Sequence, residues 1–461
     1  MTGKSITSSI PITQPIRIQF DRKSKGYKIA TALAYPGLFT IMAGDAVRYS
    51  IGWVGWGIAV SLMILVTVVM LALRPPVKTL KRMPEPLILL LALLPLSLIW
   101  SQYRPITLMT LGLQIGTTLF AVFLASQFGW RQLLHILANT IRFILVTSLL
   151  IELLAAIAGP IAPIFPNYEG DQPPAPSYLW VQGNLFELER IQGIVGNANL
   201  LAFTAVLGIL LFLIEMIVTS GKRLIPILSI SLAVILAALA NSAGMTLAVV
   251  LVGFAAIVAI LAEGRAKPIR HRIYGWALFV LGVAVAVGTV FRAELFELLG
   301  RSPDATGRFY IWQEVFNLVL EKPIEGWGWI GYWVPGVEPY EGLIEINGVP
   351  MYQAHNAFLD IWLQLGLPGV ILLIWLMITV FVRLWTVAVR HTNPLYLFPL
   401  FILLVISAQA LTESRLLIEI GWVLLVLLST KAFEPFVELE PLGRTPKRLK
   451  LIRIPLKIMG R

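Results

Sequence analysis

Cysteine is absent from this chain, which excludes disulfides, thiolate metal sites and a cysteine nucleophile. Charge is scarce as well. Only 13% of the 461 residues are Asp, Glu, Lys or Arg, against roughly 25% in ordinary soluble domains, while 57% are hydrophobic. Water is therefore not the main solvent of this polypeptide. Histidine occurs at four positions, 135, 271, 355 and 391, which narrows the candidates for proton transfer near neutral pH. The first 28 residues lack the apolar stretch that a cleaved signal peptide needs, and their polar, basic composition predicts a disordered cytoplasmic tail.

What the chain does have is long apolar runs. About 20 helical residues cross a hydrocarbon core about 30 Å thick, and lipid offers nothing to satisfy a backbone N–H or C=O. Continuous runs, rather than ten-residue alternation, select helices over a barrel. The expected fold class is all-α, a polytopic bundle of about twelve transmembrane helices. The runs fall near 29–47, 51–73, 86–100, 105–126, 133–158, 198–219, 223–240, 243–262, 273–291, 367–390, 394–412 and 414–432. Pro36, Gly37, Gly44 and Asp45 interrupt the first.

Lys and Arg placement is an independent test of that order. With both termini cytoplasmic, 27 of the 36 basic residues fall in inside segments, as the positive-inside rule requires. The net charge of +11 then belongs to loops facing anionic lipid, and nucleic acid is not expected as a partner. The expected organisation is a tail over 1–28, a membrane domain over 29–432 and a basic cytoplasmic tail over 433–461.

Two long connections, 159–197 and 292–366, lie outside in this topology, and loops of that length usually carry function. Ten carboxylates in the second face only Arg292, Arg301, Arg308 and Lys322. Residues 308–321 carry apolar side chains at helical spacing with Pro323 to stop them, which predicts an amphipathic helix along the outer interface. GWGWIGYW follows over 326–333. Its Trp327, Trp329 and Trp333 read either as an interfacial aromatic belt or as a platform for sugar rings.

Of the histidines, His135, His271 and His391 fall beside basic cytoplasmic connections and read as solvated surface. His355 stands in the outer loop before Asn356, where an imidazole serves as general base or is satisfied by local hydrogen bonds. Arg308 and Arg190 sit at headgroup depth, and a guanidinium fork matches phosphate oxygens as well as it anchors to headgroups or to neighbours such as Glu187 and Glu189. Gly196, Asn197 and Asn199 open a span and either offer backbone donors to an anion or cap the helix. Glu413 and Arg415 read as a local ion pair in the last outer turn.

The stretches RIQGIVGNANLLA (190–202), TGRFYIWQEVFNLVLEKPIEGWGWIGYW (306–333), AHNAFLDIWLQLGLPG (354–369) and LTES (411–414) resemble the bacterial O-antigen ligase and O-antigen polymerase superfamily, with the exopolysaccharide polymerases the most similar branch. The resemblance implies a multi-pass protein of the bacterial cytoplasmic (inner) membrane. It would transfer a glycan from an undecaprenyl diphosphate carrier to a glycan or lipid acceptor on the periplasmic face, with no metal or other cofactor. His355 matches the family histidine thought to activate the acceptor hydroxyl, and Arg308 the arginine that holds the diphosphate. Arg190 matches a further basic position. Trp327, Trp329, Trp333 and Asn356 are the accompanying candidates for the glycan, and membrane lipid and other polysaccharide assembly proteins the further partners.

One departure matters. Many members carry a Ser-Arg-Gly turn after the seventh span, whereas this chain reads Asn241, Ser242, Ala243, Gly244. Losing that guanidinium removes a bidentate phosphate contact unless Arg190 or Arg142 compensates, or substrate and activity have diverged. Two other readings stay open. A transporter would place its chemistry on ionisable residues within the spans, of which Arg142, Glu152 and Glu215 are the chief examples. A non-catalytic member of a polysaccharide assembly complex would need no intact phosphate clamp.

Overall fold

A computed structural model describes residues 25–165, 178–219, 223–292, 294, 307–346, 349–391 and 393–434. The expected tails therefore lie almost wholly outside the described residues. The first helix already begins at Lys25, so the last four residues of the expected tail are helical.

Helices occupy every expected span. They are α1 (Lys25–Met42), α2 (Gly44–Leu73), a single turn α3 (Val77–Leu80), α4 (Glu85–Leu96), α5 (Arg104–Gln127), α6 (Trp130–Ala158) and α7 (Ala198–Val218). After them come α8 (Leu224–Ala240), α9 (Ala243–Ala262), α10 (Lys267–Val290), α11 (Arg308–Glu321), α12 (Ala357–Arg390), α13 (Leu397–Ala410) and α14 (Glu419–Lys431). Among the described residues, seven helices are long and apolar enough to cross a membrane, and α4, α8 and α13 form shorter apolar segments. The strands are the two-residue β1 (Glu345–Ile346) and β2 (Val349–Pro350), paired antiparallel. This is a helical polytopic membrane protein. The side chains of α10 are all at least partly exposed and apolar for most of its length, as a helix bathed in lipid must be.

The bundle core joins α7 to α8, α5 to α14, α9 to α13 and α4 to α12. A second hydrophobic cluster, including Ile311, Val315, Trp327, Ile330, Trp333 and Leu363, gives the second long connection its own interior. The segment is thus a small folded module. Its helix α11 has the bounds expected from sequence and buries Ile311, Val315, Leu318 and Val319, one face at helical spacing. Its other side leaves Phe309, Tyr310, Phe316 and Leu320 partly exposed.

Two helices are broken by glycine. Gly52 (φ 72°, ψ 174°) splits α2 and Gly366 (φ 66°, ψ −167°) splits α12. At Gly366 a Cβ would lie 1.9 Å from the Ile324 carbonyl oxygen, so no other residue fits. The close approach lets Trp327 N and Gly328 N donate to the Leu363 and Gln364 carbonyls, both at 2.9 Å. The first part of α12 is thereby locked to the Gly-Trp-rich segment, and the outer module is set on the bundle.

Candidate functional site

Four stretches far apart in sequence meet at one end of the bundle. Their meeting point is the carboxylate of Glu413, in the turn between α13 and the 3-10 segment Ser414–Leu417, and only 4% exposed. Its Oε1 accepts from Asn199 Nδ2 at 2.8 Å and from Arg308 Nη2 at 3.0 Å. Its Oε2 accepts from Gln353 Nε2 at 3.2 Å and lies 3.0 Å from His355 Nδ1. Burial acts to raise this carboxyl, but the charge and hydrogen bond of His355, followed by the charges of Arg308 and Arg415, hold it at about 2. An ionised carboxylate only accepts, so Nδ1 of His355 is the donor, and in the neutral imidazole that tautomer puts the lone pair on Nε2.

Each arm of the cluster has a local cause. Asn356 caps α12, its Oδ1 accepting from Phe358 N and Leu359 N, and His355 just before it adopts φ 49°. A left-handed non-glycine residue costs about 1–2 kcal/mol. Gln353, whose Oε1 also accepts from Ser414 N at 3.1 Å, ties this segment to the Glu413 turn. Arg308 is the first residue of α11, after Gly307 at φ 79°. Asn197 caps α7, which leaves Asn199 in its first turn with its side chain available to the cluster.

Arg190 joins through Asn199, whose Oδ1 accepts from Arg190 Nη2 at 2.6 Å and from Ser242 Oγ at 3.1 Å. Its Nε donates to the Ala240 carbonyl at 3.1 Å, close to the C-terminus of α8, where positive charge is favoured. The stretch 190–194 is held from below, since Gln192 N and Gly193 N both donate to Glu152 Oε1 and Ile194 N to Ser148 Oγ. A polar cleft of about 340 Å³ opens here, lined by Arg190, Gln182, Asn184, Gln192 and Asn199 among others.

His355, Arg308 and Arg190 therefore stand in one hydrogen-bonded cluster. The three indoles do not join it. Trp329 and Trp333 are 1% and 2% exposed and Trp327 is 8% exposed. Trp327 donates to the Leu318 carbonyl and Trp333 to Asp360 Oδ1, so these side chains are the interior of the outer module and offer no face to a sugar. Asn356 is likewise engaged as a helix cap. Asn197 consumes the backbone donors of Asn199 and Leu200 that were candidates for holding an anion.

Two further readings need correction. Arg415 bonds to Glu419 rather than to Glu413. Arg142 pairs with Glu215 Oε2 at 2.7 Å and with Ser229, about 15 Å along α6 from Glu152 at 1.5 Å per residue, so it does not stand in for the missing guanidinium. Ser242 does meet Arg190, through Asn199. Glu413, Asn199 and Gln353 are the residues that sequence reasoning missed as members of the cluster. The available signal was that Glu413 is itself the carboxylate of the matched LTES stretch.

Two comparisons with known proteins bear on this arrangement. Residues 227–374 match the O-antigen ligase family, a stretch that runs from α8 through α11 to the middle of α12 and includes Arg308 and His355. The exopolysaccharide production protein ExoQ of Rhizobium meliloti (strain 1021) is 30% identical over 121 residues, which are 25% of this chain and 28% of that protein. In the family match and the local likeness to ExoQ, together with its helical membrane architecture, the chain is similar to the O-antigen ligases over about a third of its length, and the chain spans under a third of ExoQ.

Proposed function

We propose that this protein is a membrane glycosyltransferase that moves a glycan from an undecaprenyl diphosphate carrier to a lipid-linked acceptor, as an exopolysaccharide or O-antigen polymerase or ligase. The observation that carries the reading is the shared Glu413 carboxylate. It joins an oriented imidazole to a guanidinium, with a second guanidinium one side chain away.

Undecaprenyl diphosphate is already a good leaving group, so the protein need only hold it, remove one proton and align the reactants. Glu413 fixes His355 with Nε2 as the base. That nitrogen takes the proton of the acceptor hydroxyl as its oxygen attacks the anomeric carbon. The anomeric C–O bond to phosphate breaks, its electron pair leaves with the diphosphate, and the configuration inverts. Arg308 and Arg190 meet the charge that develops on the departing phosphate oxygens. No acid is needed on the leaving side, so paired carboxylates of the glycosidase kind are not required.

The ionisable residues a transporter would use are engaged in holding the fold, Glu152 on a loop and Arg142 on Glu215. The test is His355→Ala in the host. It should abolish polymer or ligated product while the protein stays folded and membrane-inserted. Product of unchanged length and amount would refute the role. Transfer by purified protein in vitro would exclude a purely organising member of an assembly complex.

A further inference from the structure

Among the described residues, the charged groups at this end of the bundle include two clusters, of which the reaction proposed above uses one. The second lies where α2 breaks at Gly52 and meets the start of α14. Arg48 donates to Asp45 Oδ1 through both Nε and Nη2, and its Nη1 lies 3.8 Å from Glu419 Oε1. Arg415 bonds to the other oxygen of Glu419. The Arg48 guanidinium also lies over two indoles, 5.1 Å from the ring centre of Trp53 and 5.7 Å from that of Trp56. The indoles meet edge to face, and Trp53 is 55% exposed.

This cluster adjoins the first. A Cβ on Gly196, in the turn that leads into Asn197 and Asn199, would lie 3.2 Å from Asp45 Cβ. Arg415 is two residues from Glu413 and acts on its charge. Glu419 takes a left-handed backbone, φ 48°, in a turn so tight that a Cβ on Gly421 would meet the Arg415 carbonyl oxygen at 2.1 Å. The strain fixes Arg415 and Glu419 relative to each other.

From this juxtaposition we infer a saccharide-binding subsite: Asp45, Arg48, Arg415 and Glu419 as planar hydrogen-bonding groups beside the Trp53–Trp56 platform, taking a pyranose ring of the lipid-linked substrate. The inference rests on the glycosyltransferase reading above. Charge decides the ligand class. Two guanidiniums balanced by two carboxylates leave no net positive charge for a diphosphate, which the Arg190 and Arg308 side of the site supplies. Paired acceptors and donors suit vicinal hydroxyls, and an exposed indole suits the apolar C–H face of a sugar. Membrane anchoring alone would account for Trp53 but not for four charged side chains assembled around the guanidinium it contacts.

The test uses full-length protein in nanodiscs and two probes, bare undecaprenyl diphosphate and the lipid-linked oligosaccharide extracted from host cells lacking this protein. Trp53→Ala and Glu419→Gln should weaken binding of the glycan-bearing probe about tenfold, about 1.4 kcal/mol, and leave bare undecaprenyl diphosphate unchanged. Trp53→Phe should restore most of the loss, which separates stacking from misfolding. Arg190→Ala should weaken both probes. Equal binding of the two probes by wild type, or wild-type binding of the glycan probe by Trp53→Ala and Glu419→Gln, would overturn the subsite alone. Failure of wild type to bind either probe would overturn the functional reading and the subsite with it. A rise in KM confined to the donor or to the acceptor then tells which substrate's sugar is held.

Discussion

Replacing Glu413 by Gln preserves shape and removes the charge on which four side chains converge. The carboxyl is held at about 2 against an ordinary 4.5, a displacement worth about 3 kcal/mol of preference for the ionised form inside the fold. Because the folded value is depressed, this stability is fully present above pH 4.5 and is lost as the pH falls toward 2. In the Gln variant the amide has one acceptor oxygen for donors that shared two, Arg308 loses its counter-charge and His355 its anionic acceptor. We expect thermal stability near neutral pH to drop by an amount of that order, and the acid dependence of stability between pH 4.5 and 2 to flatten. Loss of the orienting acceptor should lower product formation roughly 10²–10⁴-fold, the usual range for general-base assistance. Thermal unfolding of detergent-purified protein across pH, beside gel analysis of surface polymer from a complemented host, reads both quantities. Wild-type stability and polymer in Glu413→Gln would falsify the idea that this carboxylate organises the site.

Further outcomes follow from the same geometry. Arg308→Lys and Arg190→Lys keep the charge but lose the fork, so each should weaken binding of undecaprenyl diphosphate about tenfold or more, with nanodisc binding as the measurement. Gly366→Ala places a Cβ 1.9 Å from a carbonyl oxygen at positive φ and should destabilise by more than about 3 kcal/mol, whereas Gly57→Ala, with nothing within 4 Å, should cost nothing measurable in a thermal shift assay. Ala243→Arg restores a guanidinium beside Ser242 and should tighten binding of bare undecaprenyl diphosphate; unchanged affinity would mean that the turn does not face the diphosphate.

The twelve apolar runs were legible because lipid admits few backbone solutions, and α11 because its apolar spacing ends at Pro323. That His355 and Arg308 deserved attention together came from motif resemblance, and the fold brings both onto one carboxylate. Glu413 as the meeting point was not. Its partners lie 58, 60, 105 and 214 residues away, while Arg415 stands two residues off and offered a local pairing that the chain does not use. Composition also could not say which tryptophans are walls and which are surfaces. Trp327, Trp329 and Trp333 are enclosed because Gly326 and Gly366 let two backbones touch, a long-range approach that no window of sequence contains. The exposed Trp53 and its half-buried neighbour Trp56 sat in what read as an ordinary span.

The dependence of the cluster on one late turn has a consequence for biogenesis. Arg190, Arg308 and His355 are all translated before residue 413, so a nascent chain can thread most of the described helices into the bilayer with the three side chains present but unassembled. Only when the turn at residue 413 folds back does the carboxylate arrive that draws them together, so the cluster is completed by a segment translated after all three.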